Sequence, residues 1–177
     1  DATDEMKAAN FAQGDIITTV LTCARGETIL LRLDTTLPRS YSRDFTVRGT
    51  KGLYMQDTNS VFLDGDEEAF EPVKYYAKAL NNAVKFEDEY LPDIWKSVTE
   101  EMLKAGHGGM DWFAYMGFTN ALINGEEMPI DVYDAATWQA VAVLSEMSIK
   151  QGGAPQIMPD FTNGKWFKRP RKDVCEF

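Results

Sequence analysis

Short runs rich in β-branched residues occupy the first third of the chain and predict β-strands. The runs lie at residues 15–24, 28–33, 44–55 and 61–63. The tripeptide Arg25-Gly26-Glu27 separates the first two runs and two glycines interrupt the third, so we predict a hairpin and then a strand, a tight turn and a strand. Antiparallel pairing follows because parallel neighbours need a crossover of roughly a dozen residues or more.

Beyond Gly65 the apolar positions recur at intervals of three and four, which is typical of amphipathic helices. We predict helices at residues 72–86, from Pro92 to Gly106, at 112–124 with Asp111 as N-cap, and at 135–151 with Asp134 as N-cap. Apolar residues of the last helix are assigned to packing, namely Trp138, Val141, Ala142, Leu144 and Ile149. Strands grouped before helices predict an α+β fold, with an open, mainly antiparallel β-sheet covered on one face by α-helices.

Charge and hydropathy exclude several classes of partner. The 177 residues carry 18 Lys and Arg against 28 Asp and Glu, and the formal charge of −10 repels phosphate backbones and anionic lipid surfaces. No segment approaches the roughly 20 continuous apolar residues that cross a bilayer. We therefore expect neither nucleic acid nor a membrane as partner, and we interpret residues 167–177 as a solvated basic tail.

The densest cluster of unusual residues lies before the third predicted helix. It reads Gly106-His107-Gly108-Gly109-Met110-Asp111 and contains the only histidine of the chain. Glycines let a backbone approach a ligand closely, helix N-terminal amides favour ligand oxygens, and imidazole titrates near neutral pH. A site for a hydroxyl-rich ligand fits these features. A plain connection, in which Gly106 ends one helix and Asp111 begins the next, fits them equally well.

Most other components of an active site are absent from the sequence. Gly49 and Gly52 have neither the GxGxxG nor the P-loop spacing, and they connect strand with strand. There is no second histidine and no CxxC pair, so we predict no metal. Cys23 and Cys175 lie too far apart in the sequence to suggest a disulfide framework. Acidic clusters at 64–68 and 87–89 are interpreted as solvated surface.

Three stretches together resemble a known family. They are Arg48-Gly49-Thr50-Lys51-Gly52 after a strand, the motif at 106–111 before a helix, and residues 130–136 with 144–146 and 159–162 downstream. Over residues 15–166 the chain resembles the C-terminal domain of the Gfo/Idh/MocA oxidoreductases. Within that family it is similar to the NAD-dependent α-N-acetylgalactosaminidases of glycoside hydrolase family 109. Residues 1–14 would then be a lead-in from a missing Rossmann domain.

The resemblance implies a two-domain NAD-dependent sugar-processing enzyme. NAD would be bound mainly by the N-terminal domain, with no cofactor-binding residue in this chain, and one sheet face would form a homo-oligomer. In the family mechanism NAD transiently oxidises the sugar at carbon 3, which acidifies the proton on carbon 2 and allows elimination of the glycosidic bond. His107 is then the catalytic candidate. Candidates for binding the sugar or glycoside substrate are Gly108, Gly109, Asp111 and Trp112.

Two other functions stay open at this point. A plain sugar or cyclitol dehydrogenase would release NADH, and a non-catalytic carbohydrate-binding or oligomerisation module would keep the sheet without the chemistry. A strand-GxGxxG-helix unit encoded upstream would favour either enzyme over the module. We expect this chain alone to be inactive, and both the bacterial periplasm and the cytoplasm remain open as its compartment.

Overall fold

The computed structural model describes residues 2–10, 13–65 and 77–169. These residues contain two small antiparallel sheets followed by helices, which confirms the α+β class. The chain divides into two compact units, Asp1–Ser42 and Arg43–Phe177. Within the described part of the chain, no helix combines the length and the apolar character needed to span a membrane.

The first unit is built around a β-hairpin. Helix α1, Asp4–Ala8, is capped by the side chain of Thr3. Strands β1, Ile16–Thr22, and β2, Thr28–Asp34, then pair antiparallel over their full length. Gly26 lies in the turn between them at φ 98°, a conformation that glycine adopts without strain. The predicted hairpin is confirmed.

The register of this hairpin separates a mostly apolar face from a mixed one. Directly paired residues share a face, so odd-numbered residues lie on one face and even-numbered residues on the other. The odd face carries Ile17, Leu21, Ile29, Leu31 and Leu33 with Thr19, whereas the even face mixes Ile16, Val20 and Leu30 with Thr18, Thr22, Thr28, Arg32 and Asp34. The three β2 side chains of the odd face are exposed. The hairpin therefore has a mostly apolar face, whose β2 side chains are exposed and whose β1 side chains are half-buried.

The second unit begins with a three-stranded sheet. Strands β3, Thr46–Arg48, β4, Gly52–Met55, and β5, Ser60–Leu63, pair antiparallel in the order β3-β4-β5. The strand-turn-strand prediction is confirmed. The five strands form two sheets, one in each unit, where one open sheet was expected. Between β2 and β3 the Arg39 guanidinium donates to the Asp34 carbonyl and to two serine carbonyls, which holds this stretch in an irregular loop.

Strand β5 is joined to the following segment by side-chain hydrogen bonds. The Asn82 amide accepts the Val61 N–H at 2.7 Å and donates to the Val61 carbonyl at 2.8 Å. Ser60, which is buried, has its hydroxyl 2.7 Å from the Ala79 carbonyl oxygen. A buried polar group needs such a partner, because leaving it unpaired costs about 1–3 kcal/mol.

The prediction of one continuous helix over residues 72–86 is wrong in its second half. Residues 72–76 of this prediction lie outside the described residues. Residues 77–79 are helical, and a separate 3-10 helix then runs over Asn82–Phe86. Asn81 separates the two with a left-handed backbone at φ 58°, which asparagine tolerates better than most residues. The break lets the amide of Asn82 reach β5, so a long-range contact overrides the local helical spacing.

Two short helices replace the single helix predicted from Pro92 to Gly106. After helix α2, Glu87–Tyr90, the chain forms α3, Asp93–Lys96, and α4, Glu100–Leu103. Thr99 lies between them in an extended conformation, and its Oγ1 accepts the Met102 N–H at 3.3 Å. A threonine caps a helix in this way from an extended backbone. Because Thr99 is extended, α3 cannot continue through it into α4.

The two long helices begin earlier than predicted. Helix α5 spans Met110–Asn124 and α6 spans Val132–Lys150. Asp111 is therefore in the first turn of α5, and Gly109 occupies its N-cap position. The N-cap of α6 is Asp131, and Asp134 lies three residues further on. The Asp131 carboxylate accepts the Asp134 backbone N–H at 3.0 Å, and the Asp134 carboxylate accepts the Asp131 backbone N–H at 3.1 Å.

Few large side chains are buried in the described part of the chain. Its buried apolar residues are Ala79, Phe113 and Ala121, and the Trp95 ring packs on Phe113 with centroids 4.4 Å apart. The assignment of the α6 apolar residues to packing is wrong for Trp138, which is 60% exposed, and for Ala142 and Ile149, which are also exposed. Val141 and Leu144 are half-buried.

Gly52→Ala should destabilise the second unit by about 1–3 kcal/mol, because a Cβ at this position would lie 2.7 Å from the Phe62 carbonyl oxygen of β5. Urea denaturation gives the free energy of unfolding. Gly49→Ala is the matched control in the same turn, since its Cβ would meet nothing closer than 3.7 Å. Equal losses in the two variants would contradict the close approach of β4 to β5.

Candidate functional site

The glycine-histidine motif forms a left-handed turn between α4 and α5. The four residues from Gly106 to Gly109 have φ values of 93°, 47°, 67° and 95°. The Gly109 N–H closes the turn by donating to the Gly106 carbonyl at 2.9 Å. Glycine enters this region freely, whereas a residue with a Cβ, such as His107, costs about 1–2 kcal/mol there. Backbone strain thus falls on the only histidine of the chain.

His107 and Asp111 meet as a pair at this turn. Nδ1 of His107 lies 3.0 Å from both Oδ1 and Oδ2 of Asp111. The two side chains are 70% and 45% exposed, so a ligand can reach the ring and the carboxylate from solvent. His107 lies in the turn and Asp111 in the first turn of α5. The left-handed backbone of the turn therefore brings the two side chains together, although the residues are four apart in the sequence as in a helical i,i+4 pair.

One of the glycines, Gly106, is required by close packing as well as by φ. A Cβ on Gly106 would overlap with the Asp111 carboxylate. Gly109 is buried, and a Cβ there would lie 3.4 Å from the Met102 carbonyl oxygen and 3.6 Å from Leu103 in α4. A Cβ on Gly108 would meet nothing within 4 Å. Gly108 therefore borders open space beside the histidine. A side chain is excluded at Gly106 by the Asp111 carboxylate, whereas at Gly109 the positive φ alone favours glycine.

Exposed aromatic rings follow the pair along α5. Trp112, the last of the predicted substrate-binding residues, is 41% exposed. Tyr115 is 74% exposed and lies one turn beyond Asp111 on the same helix. Tyr115 is not among the residues predicted for the site, although its i,i+4 spacing from Asp111 is visible in the sequence. Met110 at the start of the helix has its sulfur 3.7 Å from Nη1 of Arg43.

A second charged cluster joins the start of α6 to Arg169. The guanidinium donates to both carboxylate oxygens of Asp134, at 2.9 and 3.1 Å, and lies 3.4 Å from Asp131. Partial burial acts to raise the pKa of Asp134, but the hydrogen bonds from Arg169 and from the Asp131 backbone outweigh it and leave the pKa below its ordinary value. All three side chains are satisfied within the cluster, so it fastens the chain rather than offering a ligand site.

Asp160 organises a tight turn downstream of α6. Its Oδ1 accepts from the Thr162 backbone N–H at 2.9 Å and from the Thr162 hydroxyl at 2.8 Å, and these bonds lower the pKa of the carboxyl below its ordinary value. Its other oxygen accepts from Gly164. Among residues 2–10, 13–65 and 77–169, no three or more His, Cys, Asp and Glu side chains are grouped so that they could hold a metal ion.

Comparison with known proteins decides the family. The model of the glycosyl hydrolase 109 C-terminal domain matches residues 1–168. The chain belongs to glycosyl hydrolase family 109. A family 109 protein of Stenotrophomonas maltophilia is 45% identical over 167 residues, and α-N-acetylgalactosaminidases of Tannerella forsythia and Shewanella oneidensis are 40% and 33% identical over 160 and 166 residues. These alignments cover 94%, 90% and 93% of the chain.

The match places this chain in one part of a family 109 protein. The chain spans about a third of the length of the curated relatives it matches, at 35%, 32% and 35% for the same three proteins. The resemblance found from the motifs around Gly49, His107 and Asp131 is confirmed at the level of the family. Relatives named as glycosidases support an enzymatic parent for this domain.

Gly106→Ala should disrupt the His107–Asp111 pair, because its Cβ would overlap with the Asp111 carboxylate. Gly108→Ala is the control: its φ is also positive, at 67° against 93° for Gly106, which costs a residue with a Cβ about 1–2 kcal/mol, but there is open space around its Cβ. The free energy of unfolding should fall further in Gly106→Ala, and only this variant should shift the His107 ring resonances in NMR spectra. Identical behaviour of the two variants would count against the close approach.

Proposed function

We propose that the left-handed turn and the first turn of α5 form part of the sugar site of an NAD-dependent glycosidase. The exposed His107–Asp111 pair, held on a strained backbone, is the observation that carries the proposal. Strain of this kind is retained mainly where a function requires the geometry. The family name and the α-N-acetylgalactosaminidase relatives support a glycoside with an N-acetylated sugar as the substrate.

In this proposal His107 moves a proton to or from the sugar. Its ring is exposed, and the space beside Gly108 is open to a ligand. An imidazole can act as general base and then as general acid without leaving its position. Trp112 offers a partly exposed ring on which a sugar can stack, and Tyr115 adds a second ring along the same helix.

Two glycine turns in the described part of the chain, at Gly49–Gly52 and before α5, do not fit a dinucleotide site. Gly49 and Gly52 form a turn between antiparallel strands, whereas a dinucleotide site needs a glycine turn between a strand and a helix. The glycine turn before α5 has the Asp111 carboxylate at the helix N-terminus, and its negative charge disfavours a pyrophosphate there. We therefore propose that NAD is bound by residues outside this sequence.

His107→Ala in a full-length family 109 protein carrying this chain should lower kcat by about 100-fold to 10,000-fold, the usual contribution of a general acid or base. The melting temperature should hold, because an exposed side-chain pair contributes only about 0–1 kcal/mol to stability. Steady-state kinetics with an α-N-acetylgalactosaminide substrate and NAD, together with a thermal melt, provide the measurement.

His107→Asn is the matched control for this experiment. Asparagine tolerates the left-handed backbone but lacks the imidazole, so its kcat should fall as far as that of His107→Ala. If kcat is unchanged in both variants, His107 is a loop residue and the chemistry belongs to other residues. If kcat falls only together with the melting temperature, the residue acts through folding.

We propose in addition that the apolar face of the β1–β2 hairpin joins two copies of the protein. The face is defined by Ile17, Leu21, Ile29, Leu31 and Leu33 with Thr19. Antiparallel sheets often expose one face, but a continuous apolar face is typical of an interface. Val20 and Leu30 lie on the mixed face, and Phe45 lies outside both strands and precedes β3.

Leu31→Asp should shift the protein from an oligomer to a monomer, because it places a charge in the middle of the apolar face. Leu30→Asp is the matched control, since it makes the same change on the neighbouring residue of the opposite face. Sedimentation analysis over a range of protein concentrations gives the oligomeric state. A monomeric wild type, or equal effects of the two substitutions, would contradict the proposed interface.

A further inference from the structure

The hydrogen bond of His107 determines which ring nitrogen carries the proton. Both oxygens of Asp111 are 3.0 Å from Nδ1, and an ionised carboxylate can only accept hydrogen bonds. Nδ1 must therefore donate, and it must be protonated. In the neutral ring the lone pair then resides on Nε2.

The ring geometry directs Nε2 away from the carboxylate. The two nitrogens lie on different edges of the imidazole, so a ring that binds Asp111 through Nδ1 presents Nε2 on its other side. The His107 side chain is 70% exposed, which leaves that side accessible. Asp111 itself is kept in place because Gly106 has no Cβ and the carboxylate packs against its backbone.

We propose that Asp111 is a positioning residue, which holds the Nδ1–H tautomer of His107 and presents Nε2 as the atom that exchanges the proton with substrate. The tautomer follows from the geometry alone, while the proton exchange at Nε2 rests on the proposed function. This differs from the expectation that Asp111 binds the substrate directly. A residue that acts through another loses its effect when the other is removed, and this distinguishes the two roles.

The tautomer can be read directly, because the chain contains one histidine. Nitrogen-15 NMR of the 177-residue chain, at alkaline pH where the ring is neutral, separates a protonated from an unprotonated ring nitrogen. Wild type should show Nδ1 protonated. Asp111→Ala should reverse this preference, because an imidazole without a partner favours the Nε2–H tautomer. An Nε2–H tautomer in the wild type, or no change in Asp111→Ala, would overturn the proposal.

A double-mutant cycle in the full-length protein tests whether Asp111 acts through His107. Asp111→Ala should lower kcat by up to about 10,000-fold, the loss expected when the catalytic histidine adopts the wrong tautomer. In the His107→Ala background the same substitution should have no further effect on kcat. Independent, multiplicative losses would show that Asp111 contacts substrate itself and would overturn the positioning role.

The NMR and kinetic results together distinguish failure of the positioning role from failure of the proposed function. If NMR shows the Nδ1–H tautomer but His107→Ala leaves kcat unchanged, the catalytic function fails and Nε2 exchanges no proton with substrate. If His107→Ala abolishes turnover but the wild type shows the Nε2–H tautomer, the catalytic function stands and the positioning role fails. The thermal melt of each variant reports whether a loss arises from unfolding.

Discussion

The candidate site depends on one constraint, the positive φ at four successive residues from Gly106 to Gly109. An L-residue loses about 1–2 kcal/mol for each such position, so a turn of this kind is built mainly from glycine. The turn is closed by the hydrogen bond from the Gly109 N–H to the Gly106 carbonyl, and it places Gly106 beside the carboxylate of Asp111. His107 is carried on this backbone, and its ring position follows from the same reversal.

Local chemistry made most of the strands and the motif predictable. β-branched runs and the glycines at 26, 49 and 52 gave the strands of both sheets, and the unusual density of glycine around His107 marked the site. The breaks in the helices could not be found in this way. Asn81 interrupts the helical spacing because Asn82 binds Val61, a partner 21 residues away, and periodicity contains no information about that contact.

The pairing register of β1 and β2 determines which face of the hairpin is apolar, and the sequence of each strand does not. Neither strand alternates strictly between apolar and polar residues, and both faces of β1 include an isoleucine, so the strands taken singly do not reveal which face is apolar. Pairing Ile17 with Leu33 and Leu21 with Ile29 places five of the eight large aliphatic residues of the two strands on one side. A slip of one residue would transfer every side chain of one strand to the opposite face, so the apolar face exists only in this register.

The bond between Asn82 and Val61 also has a consequence for how the protein behaves at high concentration. β5 is the last strand of its sheet, and an outer strand with open backbone groups is a template on which other chains can assemble. The amide of Asn82 occupies both the N–H and the carbonyl of Val61, in the middle of a four-residue strand. A single side chain thereby pairs with backbone groups that an added strand would use, and this protects the edge strand against aggregation.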